Sequence, residues 1–158
     1  MYLSVDSPNF DPHYIIINNK TKNNIMNNSD FLRIYYSDEY MTTNGLFISF
    51  KLKNIIIDKY FNKIKCHIDK SDFNKNVINQ LLRIEKNILN KMTEQYSEPV
   101  YRIEEQLKQN YIKIFPSETM ELRKYDNLNF LLKISGIWST DIHKKYGLTF
   151  RFFIVEDN

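Results

Sequence analysis

Leu131-Leu132-Lys133-Ile134-Ser135-Gly136-Ile137-Trp138 and Gly147-Leu148-Thr149-Phe150-Arg151-Phe152-Phe153-Ile154-Val155 are the stretches that decide the fold. In each, side-chain character alternates with a period of two, as in a β-strand, where successive side chains point to opposite faces. Leu132, Ile134, Gly136 and Trp138 fall on one face of the first stretch; Lys133, Ser135 and Ile137 fall on the other. In the second, Leu148, Phe150, Phe152 and Ile154 oppose Thr149, Arg151, Phe153 and Val155. The pair predicts a hairpin with one packed face and one partly polar face, each strand carrying a cation outward. It also holds the single tryptophan and two of the three glycines. Gly136 would permit a bulge, or close packing against the indole beside it.

Working back toward the N-terminus, Tyr14 to Asn18 predicts a first strand, residues 18–29 a polar hairpin loop, and Phe31 to Tyr36 a second strand. A loop over 37–44 leads into Gly45 to Ile57, where Leu46, Ile48, Phe50 and Leu52 alternate with Phe47, Ser49, Lys51 and Lys53. Tyr60 to Ile68 predicts a further strand. The period then changes. Over 72–92, Val77, Leu81, Ile84, Ile88 and Met92 recur at helical spacing, with Ser71 or Asp72 as cap and Pro99 beyond the end. This stripe is expected to pack on the core. Glu98 to Gln106 fits either an extended segment or a short helix, Tyr111 to Phe115 fits a strand, and 116–127 fits a polar link. The order predicts one mainly β domain over 1–158, a β-rich α+β protein. Its expected form is an antiparallel barrel of the oligonucleotide-binding (OB) type, with one long helix before the C-terminal hairpin. A sandwich with one packed helix would give the same string.

The chain is long enough to bury one core, and its hydrophobic content of 42% exceeds that of disordered chains. Alanine is absent, while Asn, Ile, Lys and Tyr, all encoded by AT-rich codons, abound; Asn-rich stretches therefore carry little functional weight. A net charge of +3 is mild, so any nucleic-acid reading must rest on local patches. The single Cys66 excludes an internal disulfide. No basic, apolar leader opens the chain and no apolar run is long enough to span a bilayer, so the expectation is an intracellular protein without a membrane partner.

Chemistry is sparse. His13, His67 and His143 lie far apart, and neighbours Cys66 and His67 would point to opposite faces of a strand, so no metal or other cofactor is expected. Three glycines permit no phosphate-cradling loop. The carboxylate pairs Glu104-Glu105, Glu118/Glu121 and Asp38-Glu39 sit beside Lys or Arg in polar surroundings, as on solvated faces. The expectation is a protein that is not an enzyme. More specific is the interleaving of cations and rings on outward strand positions: Phe31, Arg33 and Tyr35; Phe47, Lys51 and Lys53; Lys63 and Lys65; Lys133 and Arg151. Single-strand binders combine cations that track phosphates with aromatics that stack on bases. The plain alternative is that lysines on exposed strands protect edges and keep the protein soluble.

The string Tyr111-Ile112-Lys113-Ile114-Phe115 … Leu132-Lys133-Ile134-Ser135-Gly136-Ile137-Trp138-Ser139-Thr140 … Tyr146-Gly147-Leu148-Thr149-Phe150-Arg151-Phe152 resembles small proteins of nucleocytoplasmic large DNA viruses. Ile84 to Leu89 and Pro99-Val100-Tyr101 are similar to them too, so the resemblance spans about residues 77–155. Some of these look like the OB-fold single-stranded DNA-binding proteins of T7-like phages. The resemblance implies an OB-like barrel and binding of displaced single strands in viral replication, recombination or repair, with replication proteins as further partners. It also implies a place in the viral factory of the host cytoplasm or in the virion. The T7-type acidic tail is not matched by Val155-Glu156-Asp157-Asn158. The expected nucleic-acid contacts are Arg33, Lys51, Lys53, Lys133 and Arg151 to phosphates, and Tyr35 and Phe47 to bases. The rival expectation is a viral assembly protein that uses Phe153, Val155 and Ile137 as an exposed apolar patch.

Overall fold

The structure is a computed structural model that describes residues 4–22, 29–93, 96, 98–114, 120–140 and 142–155. Ten strands run in chain order: β1 (Val5–Asp6), β2 (Ile15–Lys22), β3 (Ser29–Ser37), β4 (Thr42–Asn44), β5 (Leu46–Tyr60), β6 (Lys63–Ile68), β7 (Glu98–Val100), β8 (Tyr111–Ile114), β9 (Lys124–Thr140) and β10 (Lys145–Val155). Helix α1 (Asp72–Asn90) follows β6, and α2 (Arg102–Lys108) lies between β7 and β8. The protein is mainly β.

All ten strands belong to one sheet whose main path is β2-β3-β9-β5-β6-β8. Pairing is antiparallel except for β1 on β5 and β7 on β10. The path opens on β2 and ends on β8, which are not paired to each other among the described residues. β9 is the spine. One of its sides pairs with β10. The other pairs with β5 from Lys124 to Ile134 and then with β3 from Gly136 to Thr140.

The inner face is apolar. Leu46, Ile48, Phe50 and Leu52 of β5 meet Phe130, Leu132 and Ile134 of β9 and Tyr146, Leu148 and Phe152 of β10, all buried. Phe50 stacks on Phe130 at 5.3 Å and meets Phe152 edge-on at 6.1 Å. α1 lays Val77, Leu81, Ile84, Ile88 and Leu89 on this layer as its spacing predicts, and Met92 is buried with them just past its end. Ser71 caps it by accepting the Asn74 N–H at 3.3 Å. α2 lacks a cap from its own Tyr101. Instead Glu85, reaching across from α1, accepts the N–H groups of Ile103 (2.9 Å) and Glu104 (3.0 Å), two donors a helix start otherwise leaves open. Glu85 is fully buried, and that desolvation pushes its carboxyl up to about 7.

Several boundaries move. The polar run predicted as loop from 18 is strand to Lys22 and strand again from Ser29; residues 23–28 lie outside the described set, as does Phe115. Glu98 to Gln106 is both of the offered alternatives, a short strand and then a helix that runs on to Lys108. The predicted link 116–127 is strand from Lys124.

Two phase changes matter more. Thr149 pairs with Gly136 but Phe150 with Ile134, so Ser135 is an extra residue in β9, a bulge beside that glycine. Past it the faces exchange. Ile137 lies opposite Leu32 and is completely buried in the core, whereas Gly136 and Trp138 take the outer face with Phe31. A Cβ on Gly136 would lie 2.3 Å from the Leu32 carbonyl and 2.5 Å from the Phe31 ring. The glycine that packs on the indole is Gly147, the cross-strand partner of Trp138. The second change is at Asn54, whose φ of 54° shifts the buried series of β5 from even to odd positions, to Ile55 and Ile57.

Candidate nucleic-acid interface

The outer faces of β5, β9 and β10 form a lattice of cross-strand rows. Phe47, Lys133 and Arg151 are successive partners in one row. Neighbouring strands lie about 4.8 Å apart, so a ring and two cations lie abreast over roughly 10 Å. The Lys133 ammonium lies 5.7 Å from the Phe47 ring centre, a cation–π distance. The next row holds Ser49, Leu131 and Phe153, and the one after it Lys51, Asn129 and Val155. Asp6 of β1 extends the middle row and is taken up by Ser49, whose hydroxyl donates to its carboxylate at 2.6 Å. A hollow of about 430 Å³ opens here, lined by Ser4, Asp6, Ser49, Lys51, Asn129, Leu131 and Val155 among others.

Across the bulge the same face continues onto β3. Arg33 lies opposite Gly136, donates to Asn44 Oδ1 at 3.0 Å and lies 5.7 Å from the Phe31 ring. Tyr35, two positions along, is half-buried beside the bridge to Gly45. Of the seven residues singled out from sequence, the register thus sets Phe47, Lys133 and Arg151 together, with Lys51 and Arg33 on either side of them. Tyr35 is at the margin. Lys53 is elsewhere: its ammonium lies 4.3 Å over the ring of Phe73 in the first turn of α1. Its backbone is held by the buried Asn74, which accepts the Lys53 N–H at 2.9 Å and donates to the Lys53 carbonyl at 2.7 Å.

Trp138 is not a platform for bases. It is buried on the outer face, with the Arg102 guanidinium 4.7 Å over its ring. The expected apolar patch loses Ile137 to the core; Phe153 and Val155 stay exposed. The sequence reading also passed over Leu131, which forms part of the hollow, and over Tyr111 and Lys113 of β8, which join the outward Lys65 that it did name on the outer face of β6 and β8. There Lys65 lies 4.1 Å from the Tyr111 ring and Lys113 lies 5.4 Å from it. The signal was present in Tyr111-Ile112-Lys113-Ile114, whose alternation puts a ring and a cation on one face.

The carboxylates are occupied separately. Glu104 contacts Lys108 at 3.0 Å and Lys86 at 3.7 Å, which holds it below the usual range. Glu121 pairs with Arg123, and Asp38 accepts the N–H groups of Tyr40 and Met41; Glu118 lies outside the described residues. Cys66 is buried and His67 exposed, on opposite faces of β6. Among the described residues, no three His, Cys, Asp or Glu side chains converge as a metal site would require. Comparison with protein-family models, curated proteins and solved structures finds no match for this chain.

Proposed function

We propose that this protein binds single-stranded nucleic acid, DNA in the first instance, without strong sequence preference. The role this suggests is in viral DNA replication, recombination or repair. The observation that supports it is the row Phe47–Lys133–Arg151, bracketed by Lys51 and Arg33 on one outer face. Cations there neutralise phosphates and the Phe47 ring offers a surface on which a base can stack. We take the sheet, with its long helix ahead of the last strands, as an opened form of the OB barrel.

The test is a fluorescence-anisotropy titration with single- and double-stranded oligonucleotides at 50 and 200 mM salt. Four engaged cations predict a log–log salt slope of about −3 for single strands, or about fifty-fold weaker binding at the higher salt. Replacing Lys133 and Arg151 together with serine should flatten the slope by about 1.4. A salt-independent affinity, or no binding at 50 mM salt, would falsify the proposal.

One observation favours a second reading, a viral assembly or interaction surface: Phe153 and Val155 remain exposed beside the hollow. Gel filtration separates the two, because the assembly reading requires a stable oligomer in the absence of nucleic acid.

A further inference from the structure

Three features set the tip of the β5–β6 hairpin apart. Tyr60 pairs with Lys63, so the loop is the two residues Phe61 and Asn62. Such loops favour Gly, Asn or Asp where φ is positive, yet the residue with φ of 53° is Phe61, and Asn62 stands next to it. A bulky side chain in left-handed backbone is a strained outlier. Second, that ring stays largely in solvent. Phe61 is 80% exposed and Tyr60 56%, and the two rings meet at 78° with centres 4.6 Å apart, making an open right-angled corner. Third, Lys65 and Lys113 are direct cross-strand partners, and like charges directly opposite destabilise a sheet.

One neighbouring charge offsets that pair in part: Asp58 of β5 is the cross-strand partner of Lys65 on its other side. Asp58 is the only carboxylate among the described residues of 55–68 and 111–114, against Lys59, Lys63, Lys65 and Lys113. It accepts the Lys59 N–H and lies 4.0 Å from the His67 ring. The two lysines instead lie along Tyr111, and Lys65 is also 5.8 Å from Tyr60.

We propose that this tip and the adjoining outer face of β6 and β8 are a second binding surface for unpaired nucleic acid. Phosphates lie over the apposed lysines and a base enters the Tyr60–Phe61 corner. One polyanion carrying flat rings relieves the charge apposition and covers the exposed rings together. An anionic lipid surface would engage the turn alone, leaving Lys65 and Lys113 on the flat of the sheet over Tyr111. The inference rests on the nucleic-acid reading of the first face but uses none of its residues. β5 carries both faces, and the thirteen residue-to-residue steps from Phe47 to Tyr60 represent about 43 Å of strand. A long oligonucleotide can therefore reach both.

The experiment compares wild type, Phe61→Asn, Lys65→Ser/Lys113→Ser and Lys133→Ser/Arg151→Ser. Each is measured for anisotropy with 12- and 30-nucleotide oligo(dT) over a salt series, for urea midpoint, and for sedimentation with vesicles of phosphatidylserine and phosphatidylcholine. Phe61→Asn should weaken binding of the 30-mer about ten-fold while leaving the urea midpoint unchanged or higher; a merely structural role would lower the midpoint. Lys65→Ser/Lys113→Ser should flatten the salt slope by about 1.4. If wild type binds, the Lys133/Arg151 variant is impaired and both tip variants bind like wild type, the tip surface is refuted and the first face stands. If only the tip variants lose binding, the first face is refuted and the tip stands. Vesicle binding that depends on Phe61, without oligonucleotide binding, overturns both.

Discussion

Glu85 makes the stability of this protein depend on pH in a direction opposite to that of most paired carboxylates. Its carboxyl is fully buried and accepts the N–H groups that open α2. Burial raises it from 4.5 to about 7; the two N–H donors act the other way, and the carboxylates of Glu104 and Glu105 add to the rise. In the unfolded chain the group ionises near 4.5, so between 4.5 and about 7 the folded state holds a proton that the unfolded state has lost. Stability therefore falls as pH rises through this window. At about 1.4 kcal/mol per tenfold change in proton affinity, the full loss is about 3 kcal/mol. Urea denaturation of wild type and Glu85→Gln, followed by far-UV circular dichroism from pH 4.5 to 8, measures it. The amide cannot titrate, so groups common to both proteins cancel in the difference between them. The stability of wild type relative to Glu85→Gln should drop by about 3 kcal/mol from pH 4.5 to 8, most of it before pH 7. Two parallel curves, with a constant gap across that range, would refute the reasoning.

Other perturbations test the packing. Gly136→Ala drives a Cβ into the Leu32 carbonyl, which is backbone and cannot rotate away; the expected cost is about 3 kcal/mol, a fall in Tm of roughly 10 °C by calorimetry. Asn74→Ala removes both links to the Lys53 backbone and the bond to the Asp69 carbonyl. The urea midpoint should fall, by about 3 kcal/mol in stability, with an unchanged m-value. Burial pushes the Cys66 thiol up to about 12, so a disulfide reagent at pH 8 should react only as fast as the protein opens, and at once in 6 M guanidinium.

What could be read in the chain was what kept its phase. β10 has no inserted residue, so Leu148, Phe150, Phe152 and Ile154 face the core as their alternation implies. α1 kept its stripe for the same reason. β9 did not: one extra residue at Ser135 reverses every face after it, which is why Ile137 looked exposed and Trp138 looked like core. A period of two has no means of announcing a bulge. Asn54 has a similar effect on β5, and Lys53 just before it is drawn to α1 by Asn74, far away in sequence. The cation-and-ring pattern was visible residue by residue. That Phe47, Lys133 and Arg151 stand abreast was not, because it depends on which strands β9 lies between, and strand order is a tertiary fact.

The central position of β9 also governs how the protein is made. During synthesis β2 to β6 emerge first, and the edges of β3 and β5 that will accept β9 have no partner until residues 124–140 leave the ribosome. Until then two hydrogen-bonding edges from the first half of the chain are open to any extended segment nearby. Closure demands pairings such as Phe31 with Trp138, more than a hundred residues apart, so folding is expected to be slow and to wait for residues 124–140. Yield in a cell should therefore depend more on chaperone supply and growth temperature than on the stability of the finished fold.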